Sequence, residues 1–219
     1  MYIKGEKMKI SFGIMVHNEG TYLENLLGII LENCGAYFDY EIIIIDDFSD
    51  DKLTVQTLKD VQDYDPQSTF IYQRHLNNNF AAQKNFLNSK CTGDYIFQID
   101  ADETPSEYIL TNLVTILESN DVDLYWIPRI NTVEGLTQEH IQQWRWRVTE
   151  QGWVNWPDFQ SRIYKNTSEI KWKFAVHEII VGHKSFAYLP DMEQCALTHH
   201  KTISRQKFQN QMYSKIERK

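Results

Sequence analysis

The sequence predicts an α/β protein with a mainly parallel sheet and helices on both faces. Over the first 128 residues, short apolar runs typical of buried strands alternate with segments whose apolar residues repeat at helical spacing. This alternation is typical of βαβ units, whose strands run parallel. From about Asn131 the alternation ends and tryptophans become frequent. We therefore expect an irregular second half with short strands and a terminal helix.

Each element is predicted from its own pattern. Strands are expected at Ile10–Val16, Glu41–Asp47, Thr69–Gln73, Tyr95–Ile99 and Val122–Ile127, and shorter ones at Gln160–Tyr164, Ile170–Phe174 and Glu178–Val181. Helices are expected at Gly20–Asn33, Lys52–Gln62, Phe80–Ser89 and Pro105–Glu118. The second strand contains four consecutive isoleucines, which indicates burial on both faces of the sheet.

We expect one compact domain in three parts, at 1–128, 129–200 and 201–219. The last part has six Lys or Arg residues and one Glu, with Phe208, Met212 and Ile216 spaced four apart. It therefore resembles a basic amphipathic helix, which could contact anionic lipid or another polyanion. Alternatively, it could pack on the protein through Phe208 and Ile216.

Composition and charge narrow the classes of function. The net charge of −8 argues against a nucleic-acid-binding surface over the whole protein. No apolar run approaches the ~20 residues needed to span a bilayer, and no secretory signal is visible. The three cysteines are far apart and lack CxxC spacing, which fits a reducing compartment. We expect a cytoplasmic protein that could sit peripherally on the inner face of a membrane.

The segment Asp100-Ala101-Asp102 indicates chemistry most directly, because an apolar strand ends there on two acids. Ligands bind at the carboxyl ends of strands in open α/β sheets. Two carboxylates suit Mg²⁺ or Mn²⁺, which usually also binds substrate phosphates. All three residues are expected at the ligand site, although a solvated acidic turn is the alternative for an isolated motif of this kind.

Three further polar segments follow strands or begin a helix, and they could meet a nucleotide in the same crevice. They contain His17, Asn18 and Glu19, then Asp46 and Asp47, then Lys84. Asp46 or Asp47 could accept hydrogen bonds from a base or a ribose, and Lys84 could pair with a diphosphate. Neither a P-loop nor a GxGxxG motif occurs, so a metal would take the place of a glycine cradle for the phosphates.

The order and spacing of these segments over Lys9–Ile127 resemble glycosyltransferase family 2, which has the GT-A fold. Pro157–Asn166, followed by Val176-His177-Glu178, is similar to small bacterial enzymes that extend lipopolysaccharide cores and to peptide-modifying relatives. The resemblance implies a nucleoside-diphosphate sugar as donor, with UDP the expected nucleotide, and Mn²⁺ or Mg²⁺. It also implies inversion at the anomeric carbon and a hydroxyl acceptor on a glycan or lipid-linked saccharide.

The resemblance also implies roles for single residues. Asp46 or Asp47 matches the acid that contacts the nucleoside. Asp100 matches a ribose or metal contact, and Asp102 matches the main metal ligand. His177 could complete the metal shell from the second half of the chain.

The general base is predicted from what an inverting transfer requires, which is a carboxylate that deprotonates the acceptor hydroxyl. Many family 2 members use a Glu-Asp pair, but this chain contains no Glu-Asp dipeptide. We predict Asp158, with Glu178 as the alternative. Glu178 could instead orient the neighbouring His177.

Two other classes share parts of this pattern. A sugar-phosphate nucleotidyltransferase usually needs a glycine-rich basic loop after the first strand, where this chain has one glycine and no Lys or Arg. A non-catalytic nucleotide-sugar-binding module would bind a donor without hydrolysing it. The acceptor could also be a protein side chain or a modified nucleic-acid base, although the net charge disfavours the latter. Trp153 or Trp156 could line an acceptor site, because sugars pack on aromatic rings.

Overall fold

A computed structural model describes residues 7–217 and confirms the predicted α/β class. The strands are β1 (Lys9–Val16), β2 (Asp39–Asp46), β3 (Thr69–Gln73), β4 (Tyr95–Asp100), β5 (Glu103–Pro105), β6 (Leu124–Ile127), β7 (Arg129–Glu134), β8 (Gln160–Lys165), β9 (Lys171–Lys173), β10 (Ile179–Val181), β11 (Phe186–Tyr188) and β12 (Leu197–Thr202). The helices are α1 (Gly20–Asn33), α2 (Lys52–Tyr64), α3 (Phe80–Asn88), α4 (Glu107–Asn120), α5 (Gln138–Trp144) and α6 (Ile203–Glu217). The ends of the expected parts 1–128 and 201–219, at 1–6 and 218–219, lie outside the described residues.

The central sheet has seven strands in the order β11-β6-β8-β4-β1-β2-β3. β8 pairs antiparallel with both β4 and β6, whereas the other pairs are parallel. Because a reversed strand separates them, β6 and β11 run in the same direction as β4. The carboxyl ends of these strands therefore meet at one edge of the sheet, which we call the carboxyl edge.

Two hydrophobic clusters cover the two faces of the sheet. Phe12 packs in one cluster with Leu23 of α1 and Leu110 of α4. Ile43 packs in the other with Leu87 of α3 and Trp172 of β9. The four isoleucines of β2 are at most 1% exposed, which confirms a strand buried on both faces.

Strand β12 was not predicted, because two of its three buried positions are polar. Leu197, His199 and Lys201 face inward, and the residues between them are exposed. Such a strand lacks the apolar alternation that sequence patterns detect. It pairs with β5 and β7 in a small three-stranded sheet next to the carboxyl edge.

The terminal helix is present as α6, but the expected packing through Phe208 is wrong. The Phe208 side chain is 68% exposed. Tyr213 packs instead, edge-on to the rings of Phe80 (centroids 5.9 Å apart) and His177 (5.6 Å). Polar contacts of Arg205, described below, help to set this orientation of the helix. No helix within residues 7–217 is long and apolar enough to cross a membrane.

Candidate active site

A cavity of about 1070 Å³ opens at the carboxyl edge, between the central sheet, the three-stranded sheet and α6. Most of the predicted site residues line it. They are His17, Asn18, Glu19, Asp47, Lys84, Asp100, Ala101, Asp102, Asp158, His177 and Glu178. The structure thus brings together residues from both halves of the chain that are far apart in sequence.

Asn18 ties together the loops that follow β1 and β2. It adopts a left-handed backbone conformation (φ 56°), which Asn tolerates better than most residues. Its side-chain amide donates to Asp50 Oδ1 (2.8 Å), and its Oδ1 accepts from the backbone N–H groups of Asp50 (2.9 Å) and Asp51 (3.1 Å). His17 Nδ1 lies 2.8 Å from the Asp47 carbonyl oxygen across the same two loops. These bonds fix the shape of one end of the cavity.

The structure gives Asp46 and Asp47 different surroundings. Asp46 is buried, and its two carboxylate oxygens accept from Ser49 N–H (2.9 Å) and Gln73 Nε2 (3.1 Å). It therefore holds the turn after β2 and does not line the cavity. Asp47 does line the cavity, and its Oδ1 accepts from Leu76 N–H (3.0 Å). Of the two acids left open by the sequence, the geometry favours Asp47 for a nucleoside contact.

Glu103, which sequence analysis did not identify, is the centre of a buried charge network. It is fully buried, and its Oε1 accepts from Arg129 Nη1 and Arg162 Nη2, each at 2.6 Å. Arg162 also donates to Asp100, and Arg129 Nη2 donates to Asp158 Oδ2 at 2.7 Å. A continuous chain of charges therefore joins the Asp-x-Asp segment to the predicted base.

This network sets the ionisation of both acids at its ends. Burial alone would raise the pKa of Asp100, but the charges of Arg162, Lys84 and Arg129 lower it well below the usual range. Burial likewise opposes ionisation of Asp158, and the Arg129 charge outweighs it, so the pKa of Asp158 is lowered. Both carboxylates are therefore ionised at neutral pH.

Asp158 is held mainly through one of its two oxygens. Its Oδ2 accepts from Arg129 and from Asn131 Nδ2 (2.8 Å). Its Oδ1 accepts only the Gln160 Nε2 donor (2.9 Å) among the described residues. Oδ1 is consequently the oxygen with the capacity to accept a further proton or hydrogen bond from a molecule in the cavity.

Lys84 and Glu178 bind each other. Lys84 Nζ lies 2.6 Å from Glu178 Oε1 and 4.2 Å from the centre of the Trp172 ring, and the lysine is only 3% exposed. The Lys84 ammonium has three N–H donors, so its pair with Glu178 leaves donors for a further group in the cavity that Lys84 lines. Proton abstraction by Glu178 would compete with its ion pair to the buried Lys84.

Asp102 faces a histidine that the sequence did not single out. Its Oδ2 lies 3.2 Å from His199 Nε2, and His199 Nδ1 lies 2.7 Å from Asn131 Oδ1. Because the Asn131 amide donates to Asp158, its Oδ1 faces His199 and accepts the Nδ1 proton. Burial opposes ionisation of Asp102, but the contact with His199 outweighs burial and lowers the pKa of Asp102 below the usual range. Burial also lowers the pKa of His199 itself.

The spacing of Asp102 and His199 fits two ligands of a divalent cation, provided that Arg205, which lies 3.1 Å from the same Asp102 oxygen, is displaced. Adjacent ligands at about 2.1 Å in octahedral coordination lie about 3 Å apart, close to the separation of these two atoms. The predicted set of Asp100, Asp102 and His177 is not formed, since within residues 7–217 no three His, Cys, Asp or Glu side chains form a metal-ligand group. Asp100 is engaged by Arg162, and His177 lies against Tyr213. Two protein ligands suit a metal whose other ligands are phosphate and water oxygens.

Arg205 brings α6 onto the site. Its guanidinium Nη2 lies 2.6 Å from Glu19 Oε2 and 3.1 Å from Asp102 Oδ2. Burial raises the pKa of Glu19 despite this arginine. Sequence analysis had grouped Arg205 with the other basic residues of the helix, because nothing local distinguishes it from them.

The expected acceptor tryptophans do not line the cavity. Trp153 and Trp156 pack against each other with ring centroids 5.0 Å apart. Val154 and Asn155, which lie between them, face the cavity instead. Bridges from Val154 to Val148 and Asn131 fix this orientation of the segment.

An α/β sheet whose cavity holds a strand-terminal Asp-x-Asp segment at the carboxyl edge is the arrangement expected of a GT-A glycosyltransferase domain. The model of the family described as Glycosyl transferase family 2 matches residues 11–187. The chain therefore belongs to glycosyltransferase family 2, which confirms the resemblance seen in the sequence.

The curated relatives that this chain matches are distant and longer than the chain. Poly(ribitol-phosphate) beta-N-acetylglucosaminyltransferase TarP of Staphylococcus aureus is 28% identical over 116 residues, which are 53% of this chain and 35% of TarP. Minor teichoic acid biosynthesis protein GgaB of Bacillus subtilis is 25% identical over 127 residues, which are 57% of this chain and 14% of GgaB. This chain thus spans about a third or less of either relative.

The fold is shared with crystal structures of S. aureus TarS residues 1–349. The first superposes with a TM-score of 0.59 at 16% identity, and it covers 92% of this chain and 63% of TarS 1–349. A second, in complex with UDP-GlcNAc, gives a TM-score of 0.60 at 16% identity over 89% and 59% of the two chains. At this identity the likeness shows the fold alone.

Proposed function

We propose that this chain is the catalytic domain of a metal-dependent, inverting glycosyltransferase that uses a UDP-sugar and a hydroxyl acceptor on a glycan or lipid-linked saccharide. The observation that carries the proposal is the Asp102–His199 pair in one cavity with Asp158. A cation that offsets the charge of a leaving diphosphate and a carboxylate that takes the acceptor proton are the two contributions on which the proposed mechanism depends.

The donor would lie across the loops that Asn18 ties together. Asp47 is the proposed nucleoside contact, in place of Asp46. The solved TarS complex contains UDP-GlcNAc, which supports UDP as the nucleotide. His17 and Glu19 lie along the same wall and would flank the donor.

In the proposed mechanism, Asp158 takes the proton of the acceptor hydroxyl while the hydroxyl oxygen attacks the anomeric carbon. The bond from that carbon to the diphosphate oxygen breaks on the opposite face, which inverts the configuration. Arg129 and Asn131 hold the carboxylate in place throughout. A Mn²⁺ or Mg²⁺ held by Asp102 and His199 supplies Lewis-acid stabilisation of the leaving diphosphate when it is bound.

The donor and metal assignments can be tested by thermal shift with UDP-GlcNAc, UDP-glucose, UDP-galactose and GDP-mannose, each with and without MnCl₂. A ligand that binds only the folded state raises the melting temperature. We expect one UDP-sugar to raise it only when Mn²⁺ is present. Asp102→Asn and His199→Ala should abolish the metal-dependent shift, and Asp63→Asn, at an exposed position of α2, should retain it. An unchanged shift in Asp102→Asn would show that the metal site is wrongly assigned.

The base assignment needs a separate readout, namely slow donor hydrolysis and transfer to acceptor. Asp158→Asn should keep the donor thermal shift but reduce turnover by about 10²- to 10⁴-fold, because binding does not need proton abstraction. Glu178→Gln is the matched comparison for the alternative base. Loss of turnover in Glu178→Gln alone would reverse the assignment. Donor binding without any hydrolysis in the wild type would indicate a binding module.

The acceptor and location remain predictions. The relatives named above act in teichoic acid synthesis or on poly(ribitol-phosphate) by name, whereas the sequence resemblance suggested lipopolysaccharide-core enzymes. A cytoplasmic location, with membrane or polyanion contact through 201–219, is the proposal that accompanies a lipid-linked acceptor. Exposed Lys207 and Lys215 of α6 face away from the cavity and are available for such contact.

A further inference from the structure

Four aromatic side chains form a partly exposed surface at one end of the central sheet, which we call the aromatic shelf. They are Trp126 of β6, Phe159, and Phe186 and Tyr188 of the edge strand β11. Tyr188 lies at the centre, with ring centroids 5.9 Å from Trp126, 4.8 Å from Phe159 and 5.8 Å from Phe186. Phe186 is 55% exposed and Tyr188 is 54% exposed. A group of large aromatic rings exposed together on the surface often marks a site of interaction with a ligand or another protein.

The topology places the shelf beside the site. β6 and β11 run parallel to β4, so Ile127 and Tyr188 end at the same edge as the Asp-x-Asp segment. β11 is three strands from β4, which corresponds to roughly 14 Å. Phe159 directly follows Asp158, and its ring contacts Tyr188. The shelf lies outside the lining of the cavity, and Phe159 connects it along the chain to the proposed base.

The chemistry of the shelf favours a neutral sugar. The C–H faces of pyranose rings pack on aromatic rings, and the rings of Phe186 and Tyr188 are more than half exposed. The four side chains carry no charge. A polyol-phosphate chain would instead call for Lys or Arg at the contact.

We propose that the aromatic shelf binds a neutral pyranose unit of the acceptor, next to the unit whose hydroxyl reaches Asp158. The role of the shelf as an acceptor subsite rests on the proposed function. Binding of a neutral saccharide to these rings can be measured even if the proposed function is wrong. Tyr188, as the ring that touches the other three, contributes most of the contact.

Saturation-transfer NMR with maltotriose, cellotriose, chitotriose and ribitol 5-phosphate tests this assignment on the full chain. We expect at least one neutral trisaccharide to bind the wild type. Tyr188→Ala should weaken that binding by about threefold to tenfold, as expected for the loss of one aromatic contact. Tyr188→Phe keeps the ring and should bind as the wild type does. Tyr64→Ala, at a 77% exposed position on α2, is the control at the opposite side of the sheet.

Four results would overturn the proposal. The first is the absence of binding by every trisaccharide up to its solubility limit, and the second is equal binding by Tyr188→Ala and wild type. The third is that only the binding of ribitol 5-phosphate depends on Tyr188. The fourth is a change in the sedimentation of Tyr188→Ala, which would show that the shelf is a protein interface. Donor thermal shifts with Mn²⁺ on the same variants separate the two proposals. Their failure with trisaccharide binding intact would reject the proposed function and keep the shelf as a saccharide site.

Discussion

Glu103 connects the two ends of the active site at the scale of single residues. Its carboxylate takes one guanidinium group from β7 and one from β8, and each arginine reaches a further acid in the cavity. A fully buried carboxylate is tolerated only when it is paired and hydrogen-bonded. Glu103 therefore positions Asp100 and Asp158 through Arg162 and Arg129, without facing the cavity itself.

We predict that Glu103→Gln lowers the free energy of unfolding by about 3 kcal/mol, because it removes one partner of a buried ionic network. Turnover should also fall, since Asp100 and Asp158 lose their common anchor. Urea denaturation measures the first effect. Glu118→Gln makes the same chemical change at an exposed position of α4 and should alter stability by less than about 0.5 kcal/mol. Similar midpoints for the two variants would contradict the role of Glu103.

At the scale of elements, β12 and α6 act as a unit that closes the site. Buried His199 and Lys201 point inward from β12, and Lys201 Nζ donates to Gln209 Oε1 of α6 at 2.5 Å. Thr202 Oγ1 accepts from Arg205 N–H (3.2 Å) where the strand becomes the helix. The strand and the helix are therefore oriented by polar contacts at the site more than by apolar packing.

The start of α4 offers a test at the element scale. Ser106 caps this helix, because its Oγ accepts from Ile109 N–H (3.1 Å), and it also donates to the Gln194 carbonyl oxygen (2.6 Å). We predict that Ser106→Ala lowers the free energy of unfolding by about 1 kcal/mol, the usual cost of a lost N-cap. Thermal or urea denaturation measures it. Ser119→Ala, near the other end of α4, should stay within about 0.5 kcal/mol of the wild type.

At the scale of the whole molecule, the two ends of the parallel strands have different roles. The carboxyl edge carries the site, and the opposite side of the sheet, where these strands begin, holds the buried Glu41. This carboxylate accepts from Lys9 Nζ (2.8 Å), Ser11 Oγ (2.6 Å) and the Thr92 backbone N–H (2.5 Å). Burial alone would raise the pKa of Glu41, but these bonds outweigh it and lower the pKa. They join β1, β2 and the approach to β4.

This lowered pKa predicts how stability depends on pH. A carboxyl whose pKa is lower in the folded protein stabilises it fully above the unfolded value, and the stabilisation is lost as pH falls through the folded value. The stability difference between wild type and Glu41→Gln should therefore be largest near neutral pH and shrink between about pH 6 and about pH 3. Urea midpoints across that range measure it. Glu24→Gln, exposed on α1, should follow the wild type at every pH.

Local patterns predicted most of the α/β half, because its strands and helices have clear apolar repeats in the sequence. The bounds of α1 and β3 match the expected ranges, and four isoleucines correctly indicated a strand buried on both faces. The strands β5, with the sequence Glu-Thr-Pro, and β12, with two polar residues at its three buried positions, lack the apolar repeats from which such predictions are made. The site residues show the same division, since Asp102 closely follows the predicted strand β4 and His199 lies in the unpredicted strand β12.

The sequence by itself determined the fold class, the family and the position of the Asp-x-Asp segment, because each depends on order along the chain. Only the tertiary structure decided which side chains meet. Reversed β8 brings Arg162 to Asp100, and β12 brings His199 to Asp102 in place of His177. These contacts join residues 62 and 97 positions apart, respectively. Strand pairing over such separations depends on the whole sheet, which no local pattern encodes.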